Sequence, residues 1–342
     1  MAVALWLTAL GGFYMTTVPN LFLLKVLYGY WGFTTIFLFW AAMIKATRIW
    51  GGVDAQGKAF GFLDGGRGLV AALFGTLGVV IFSIFIPSNE ALAAGEQSSE
   101  AFIQVIFISS IIVMIVGVLT FFFLKLPQKN TPEYQVKSIT IANVKSVLKL
   151  PAVWLLMVII LCAYVGYKFT DIFSLYAKEV MLYSEIDAAK TGTYLLFIRP
   201  IVGVLVGFLA DRSKASIYLV AGFAISIVGA LLFASDLIAP SMNIFFLLSV
   251  FLVALGVYAA RVLYFAVMDE GNIPLALTGT AVGVISVVGY TPDIFAGPLM
   301  GYLLDNSPGR TGHQHVFITL AIFSLVGFIA AVFFLRMHSK KT

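Results

Sequence analysis

Gly207-Phe-Leu-Ala-Asp211-Arg212-Ser-Lys214 decides how this chain is read, because one apolar stretch ends there in charges and another begins directly after. A glycine lets two helices approach closely, and an Asp–basic cluster suits a turn at the charged surface of a membrane. Alone, the cluster could be any polar loop. Outward from it, however, the chain is almost entirely apolar spans. It is 61% hydrophobic and 11% charged, with a mean hydropathy of +1.02, whereas soluble domains carry roughly 25% charged residues. No single aqueous core could hide 342 such residues, so the bilayer is the solvent. There every backbone polar group must be satisfied internally, which leaves helices or closed barrels. Barrel strands alternate over about 10 residues, while these runs are continuous over about 20. The fold class is an all-α integral membrane protein.

About ten transmembrane helices are predicted, near 2–18, 21–45, 59–86, 101–125, 151–175, 187–210, 216–235, 243–267, 277–303 and 314–336. Pro19-Asn20, Pro87-Ser88-Asn89 and Pro240-Ser241 punctuate them. The long polar stretch 126–150, with Lys129, Lys137, Lys145 and Lys149, reads as a cytoplasmic linker between two bundles, 1–125 and 151–342. If that stretch, 46–58, 211–215, 268–276 and the C-terminus face the cytoplasm, they and the adjoining helix ends hold about thirteen Lys/Arg. The opposite loops hold three, Lys178, Lys190 and Arg310, and the 87–100 loop carries Glu90, Glu96 and Glu100 without a basic residue. The positive-inside rule then places both termini in the cytoplasm of a cell membrane. It also accounts for the net charge of +5 without nucleic acid. The N-terminus lacks a basic n-region, so no cleaved signal peptide is expected. With one cysteine, Cys162, inside a span, and only His313, His315 and His338, neither a disulfide framework nor a metal site is expected.

The halves echo each other weakly. Gly57-Lys-Ala-Phe-Gly61 with Gly75 recurs as Gly279-Thr-Ala-Val-Gly283 with Gly297, and Phe121-Phe-Phe-Leu-Lys125 as Val332-Phe-Phe-Leu-Arg336. Repeated bundles are a mark of transporters.

On these residues the chain resembles the major facilitator superfamily over essentially its whole length. Gly207 to Lys214 is similar to the family's loop motif of glycine, three residues, Asp, then Arg, which in the family recurs between the second and third helices of each six-helix half. Lys25-Val-Leu-Tyr28-Gly29 resembles the basic-to-glycine pattern of family helix 4, with Lys where the family usually has Arg. The Gly-Pro signature of antiporters is replaced by Gly75-Thr-Leu-Gly78. The resemblance implies a two-bundle architecture, with 1–125 as family helices 3–6 and 151–342 as helices 7–12. Family helices 1 and 2 have no counterpart, so the N-terminal half reads as truncated; a truncated gene model and a genuine ten-span variant are the alternatives. The resemblance also implies that Gly207, Asp211 and Arg212 belong to a cytoplasmic gate, the Asp pairing with a basic group or a helix N-terminus. An ordinary helix cap is the plainer reading.

Charges inside spans are costly and mark pairs, cavities or pathways. Asp64 and Arg67, and Lys168 and Asp171, are three residues apart and are expected to neutralise locally; the sharper alternative has Arg67 entering the cavity with Asp64 orienting it. Arg199 lies roughly 16 Å deep at 1.5 Å per residue, with Pro200 after it and no acidic residue one turn away. Its planar fork suits a substrate carboxylate or phosphate, or it pairs with Asp293. Arg261 divides between snorkelling and cavity duty. Asp293, in Tyr290-Thr-Pro292-Asp293, sits mid-span, either as a desolvated proton carrier or as a static partner of an arginine; the neighbouring glycines and prolines predict a broken or bent helix. Trp31 and Tyr30 face a pore or anchor at the interface. With the local pairs cancelled, Lys25, Arg199 and Arg261 oppose Asp293, and this positive surplus favours an anionic substrate.

The expected function is therefore secondary active, proton-coupled transport of a small organic anion by alternating access, with Arg199, Arg67, Arg261, Lys25 and Tyr290 on the substrate and Asp293 and Asp64 exchanging protons. A monomer without cofactors is expected; nothing resembles a nucleotide-binding loop, so ATP-driven transport is not expected. An exporter of hydrophobic cations would need acidic cavity residues, and a non-transporting sensor of the same fold would bind without counterflow. A membrane enzyme would need a His, Asp or Ser cluster that the scattered histidines do not make.

Overall fold

The structure is a computed structural model, and it describes residues 1–52, 54–85, 94–124 and 140–339. Within them the long helices are α1 (Ala2–Met15), α2 (Leu21–Gly51), α3 (Gln56–Phe85) and α4 (Ala94–Phe123). The short α5 (Ile141–Leu148) follows, then α6 (Pro151–Glu179), α7 (Glu185–Ala210), α8 (Ala215–Ala234), α9 (Asn243–Leu263), α10 (Leu275–Asn306) and α11 (Arg310–Ser339). Among the described residues, eight helices are long and apolar enough to cross a membrane, and α1 is a shorter apolar helix of 14 residues. A helix overlies each of the ten predicted spans, but α1 (Ala2–Met15) and α3 (Gln56–Phe85) are not among the eight long and apolar enough to cross. Most of the proposed linker, 126–139, lies outside the described residues; its last part is α5, started by the Thr140 hydroxyl accepting from the Asn143 amide.

Sequence punctuation sets the helix ends. Asn20 caps α2 by accepting from the Leu23 amide at 3.0 Å, and Pro151 opens α6 where no N–H is needed. Ser184 accepts from the Asp187 amide at 3.2 Å and donates to its carboxylate at 2.8 Å, closing a reciprocal cap on α7. α10 is interrupted at Tyr290-Thr291 and restarts at Pro292, as the Pro and Gly pattern predicts. In α2 the ladder widens into a π-helical stretch at Phe33–Trp40, which nothing in the sequence signalled.

Contacts group the described parts of Met1–Ala46 with Val70–Val136, and of Thr47–Leu69 with Lys137–Thr342. In the first unit α1 packs on α4. There the Tyr30 hydroxyl donates to Leu7 O at 2.7 Å and the Trp31 indole to Thr8 O at 3.0 Å. These two aromatics therefore tie α2 to α1. In the second unit α8 packs on α9 and α11, α11 on α6, and α9 on α7. Its core includes buried Phe173, Tyr176, Phe233, Phe246 and Phe317, with Phe233 and Phe317 stacked at 4.5 Å.

The start of α3 crosses α7 through a seam of small residues. A Cβ on Gly57 would sit 2.5 Å from Gly207 O, and one on Gly61 would sit 2.6 Å from Gly203 O. The echoing Gly279 and Gly283 have nothing within 4 Å of a Cβ, so the repeat in sequence is not a repeat in packing.

Candidate functional site

Four helix segments of the second unit bring charge and aromatic rings together. Asp64 on α3, Arg199 on α7 and Arg261 on α9 are each buried, at 5, 7 and 4% exposure. Arg199 grips Asp64 with two donors, Nη2 to Oδ1 at 2.8 Å and Nε to Oδ2 at 3.3 Å. Arg261 Nε lies 3.5 Å from the same Oδ1, and Arg67 Nη1 stands off at 3.8 Å with its side chain over a third exposed. Tyr167 on α6 completes the cluster: the Arg261 guanidinium lies 3.3 Å from its ring centroid, and Arg199 donates to its hydroxyl at 3.4 Å. A guanidinium on an aromatic face is a favourable cation–π arrangement.

This geometry corrects the expected pairings. Asp64 is not neutralised chiefly by Arg67, because guanidinium forks from two neighbouring helices reach it more closely than the partner three residues along its own. Arg199 pairs with Asp64 and not with Asp293. Arg261 does not snorkel; it is buried against Tyr167. Lys168 does not settle on Asp171 but reaches Asp293, Nζ to Oδ1 at 2.6 Å. Asp293 is accordingly no lone desolvated carboxylate: its side chain is 46% exposed and also accepts from the Tyr164 hydroxyl at 3.1 Å. Its position at the restart of α10, where the broken helix offers a positive dipole end, explains why a carboxylate is tolerated there.

Tyr290 joins the same neighbourhood, edge-to-face with Tyr164 at 4.7 Å and hydrogen-bonded to the Tyr264 hydroxyl at 3.1 Å. Lys25 belongs to the first unit and is exposed on α2. Tyr164 and Tyr167 were not singled out in the sequence; their signal was their place in Tyr164-Val-Gly-Tyr167-Lys168, one turn apart on a span that also carries a charge. Among the buried donors, Arg261 Nη1 has no hydrogen-bond acceptor, and Nε has only its 3.5 Å ion-pair contact with Asp64. Two guanidinium groups thus share one carboxylate, and the more buried of them retains donors.

The Asp211 motif folds as a clasp. Its carboxylate accepts the Gly57 and Lys58 amides at 2.6 and 2.9 Å, so it caps the first turn of α3 from the end of α7. Of the two partners weighed for it, the helix N-terminus is the one observed. The close approach at Gly207 makes this reach possible. Arg48, overlooked in the sequence as a loop residue, is buried near the same region of the chain. It binds Asp269 at 3.1 Å, the Thr278 hydroxyl at 2.6 Å and Ile273 O at 2.9 Å.

No group of three or more potential metal ligands occurs among the described residues. His313 is buried and contacts Glu179 at 2.9 Å.

Apolar helices surrounding a buried Arg–Asp–Arg cluster define a multi-pass helical membrane protein. The Major Facilitator Superfamily profile matches residues 1–296, and the chain belongs to that family. It is 28% identical over 353 aligned residues to the Escherichia coli inner membrane protein YihN, covering 100% of this chain and 80% of that protein. It is 27% identical to the inner membrane protein YqcE of the same organism, over 92% of this chain and 73% of that one. The fold is similar to the E. coli fucose:proton symporter FucP, with a TM-score of 0.75 at 14% identity, over 97% of this chain and 82% of that chain.

Proposed function

We propose that this transporter-family chain is a secondary active transporter of a small organic anion, working by alternating access with proton coupling. The observation that carries the reading is the buried Arg261, whose Nη1 meets no hydrogen-bond acceptor and whose Nε has only the long 3.5 Å contact with an Asp64 carboxylate that Arg199 holds more closely. A substrate carboxylate or phosphate would supply the missing acceptors, and charge-assisted bonds of this kind are strong. In this reading Arg199 and Arg261 hold the anion, Arg67 guides it in from the exposed edge, and Tyr290 lines the site; Lys25 serves the N-terminal bundle. Asp64 is the counter-ion that substrate relieves, and Asp293, held by Lys168 and Tyr164, exchanges the proton. The Asp211 clasp on α3, with Gly207 and Arg212, opens and closes the cytoplasmic side. Bundles 1–125 and 151–342, joined by 126–150, rock in a monomer whose termini are both cytoplasmic.

A second reading is proton-coupled transport of a neutral sugar, favoured by the hydroxyls of Tyr164, Tyr264 and Tyr290 and by the likeness to a fucose:proton symporter. One experiment separates the two. The purified chain and its Arg199→Ala variant are screened by thermal shift against organic anions, neutral sugars and lipophilic cations. A ligand at 100 times its Kd stabilises by about 2.7 kcal/mol. Anion stabilisation lost in the variant supports the anion site; stabilisation by sugars alone supports the second reading; a cation response refutes both.

A further inference from the structure

We propose that a cleft between the start of α6 and the end of α11 is a binding site for an anionic phospholipid. The cleft has a volume of about 1160 Å³ and is lined by Lys149, Pro151, Trp154 and Leu155 on one side and Phe333, Arg336 and Met337 on the other. Its residues sort by chemistry along the helices. Lys149 and Arg336 stand at the ends of their spans, where hydrocarbon gives way to headgroups, and both are exposed. Among the described residues neither makes an ion pair, and no carboxylate lines the cleft. One turn further into the span lie Trp154 and Phe333, 54 and 59% exposed.

Three features give this cleft one kind of occupant. The cations at its mouth call for an anion. The helix end adds to this: Leu150 provides no side-chain cap and Pro151 opens the helix, which sets the positive end of the α6 dipole beside the mouth. The apolar walls call for a hydrocarbon chain in continuity with the surrounding bilayer. The Trp154 indole is also spoken for, donating to Leu148 O at 2.8 Å, which holds the ring as a fixed wall. A soluble anion would satisfy the mouth and leave the walls empty. A phospholipid satisfies both, its phosphate between Lys149 and Arg336 and an acyl chain along Trp154, Leu155 and Phe333. Basic pockets between helices on the cytoplasmic side are suited to such headgroups.

The test is native mass spectrometry of the full-length chain released from mixed micelles containing phosphatidylglycerol and phosphatidylcholine in equal amounts. Wild type is expected to retain phosphatidylglycerol selectively. Each basic residue near a membrane surface contributes roughly fivefold to such binding, so K149Q/R336Q should lower retention about 25-fold if the two act independently. The charge-keeping K149R/R336K pair should restore it. Thermal unfolding in lipid-free detergent is measured for each variant, and unchanged midpoints show that the exposed substitutions leave the fold intact. Equal retention of phosphatidylcholine, or unchanged retention in K149Q/R336Q, overturns the proposal. Displacement of the lipid by millimolar inorganic phosphate overturns it in favour of a soluble-anion site.

Discussion

Replacing Asp64 by Asn tests the central cluster most directly. The substitution keeps the shape but removes the one carboxylate that Arg199 and Arg261 share, at 2.8 and 3.5 Å, and sets an amide donor against one of the two Arg199 donors that both carboxylate oxygens now accept. All three residues are more than nine-tenths buried, so solvent screens their interaction little. Leaving a buried charge without its partner costs about 3–5 kcal/mol, and here two guanidiniums are left. Asp293→Asn is the comparison. It breaks a contact of 2.6 Å, shorter than either arginine contact, but its carboxylate is 46% exposed and its Lys168 partner 31% exposed; exposed pairs contribute about 0–1 kcal/mol. The expected outcome is that Asp64→Asn loses several times more stability than Asp293→Asn in equilibrium unfolding from detergent micelles by denaturant. An anion that occupies the cluster should recover part of the Asp64→Asn loss and have little effect on Asp293→Asn. Equal losses in the two variants, or an Asp64→Asn protein as stable as wild type, would refute the argument that burial and not distance sets the weight of these pairs.

Two further predictions follow from packing and from a helix cap. Gly207→Ala would place a Cβ 2.5 Å from Gly57 O and 2.9 Å from Gly61 Cα, both backbone atoms that no rotamer change can move; overpacking of this kind costs about 1–3 kcal/mol. Gly283→Ala meets nothing within 4 Å and should be neutral or slightly stabilising through its helix propensity, so unfolding midpoints of the two variants should diverge. At the start of α7, Lys190 and then Ser184 hold the Asp187 carboxyl below its usual range. A depressed acid stabilises the folded state above its unfolded pKa of about 3.9. That contribution is lost as pH falls through the lower folded value, and because the group is exposed the effect is small. Asp187→Asn should flatten this acid limb of the stability–pH curve, and an unchanged limb would contradict the cap.

Architecture was legible because membrane physics writes it locally. A run of about 20 apolar residues must be a helix in a bilayer, and Asn20, Ser184, Pro151 and Pro292 mark helix ends by hydrogen bonding or by its absence. The break in α10 was visible for the same reason. The membership of Arg199, Arg261 and Asp64 in one important set was also legible, since intramembrane charges are rare enough to stand out. Who pairs with whom was not. The sequence offered Asp64 to Arg67 and Lys168 to Asp171, because along one helix only spacing is known. The structure takes Asp64 to Arg199 and Arg261 and takes Lys168 to Asp293, because the rotation and crossing of α3, α6, α7, α9 and α10 decide which side chains share a low-dielectric space. The glycine echo carried the same limit: Gly57 and Gly279 are alike as letters, and only helix packing gives one a neighbour at contact distance and leaves the other open.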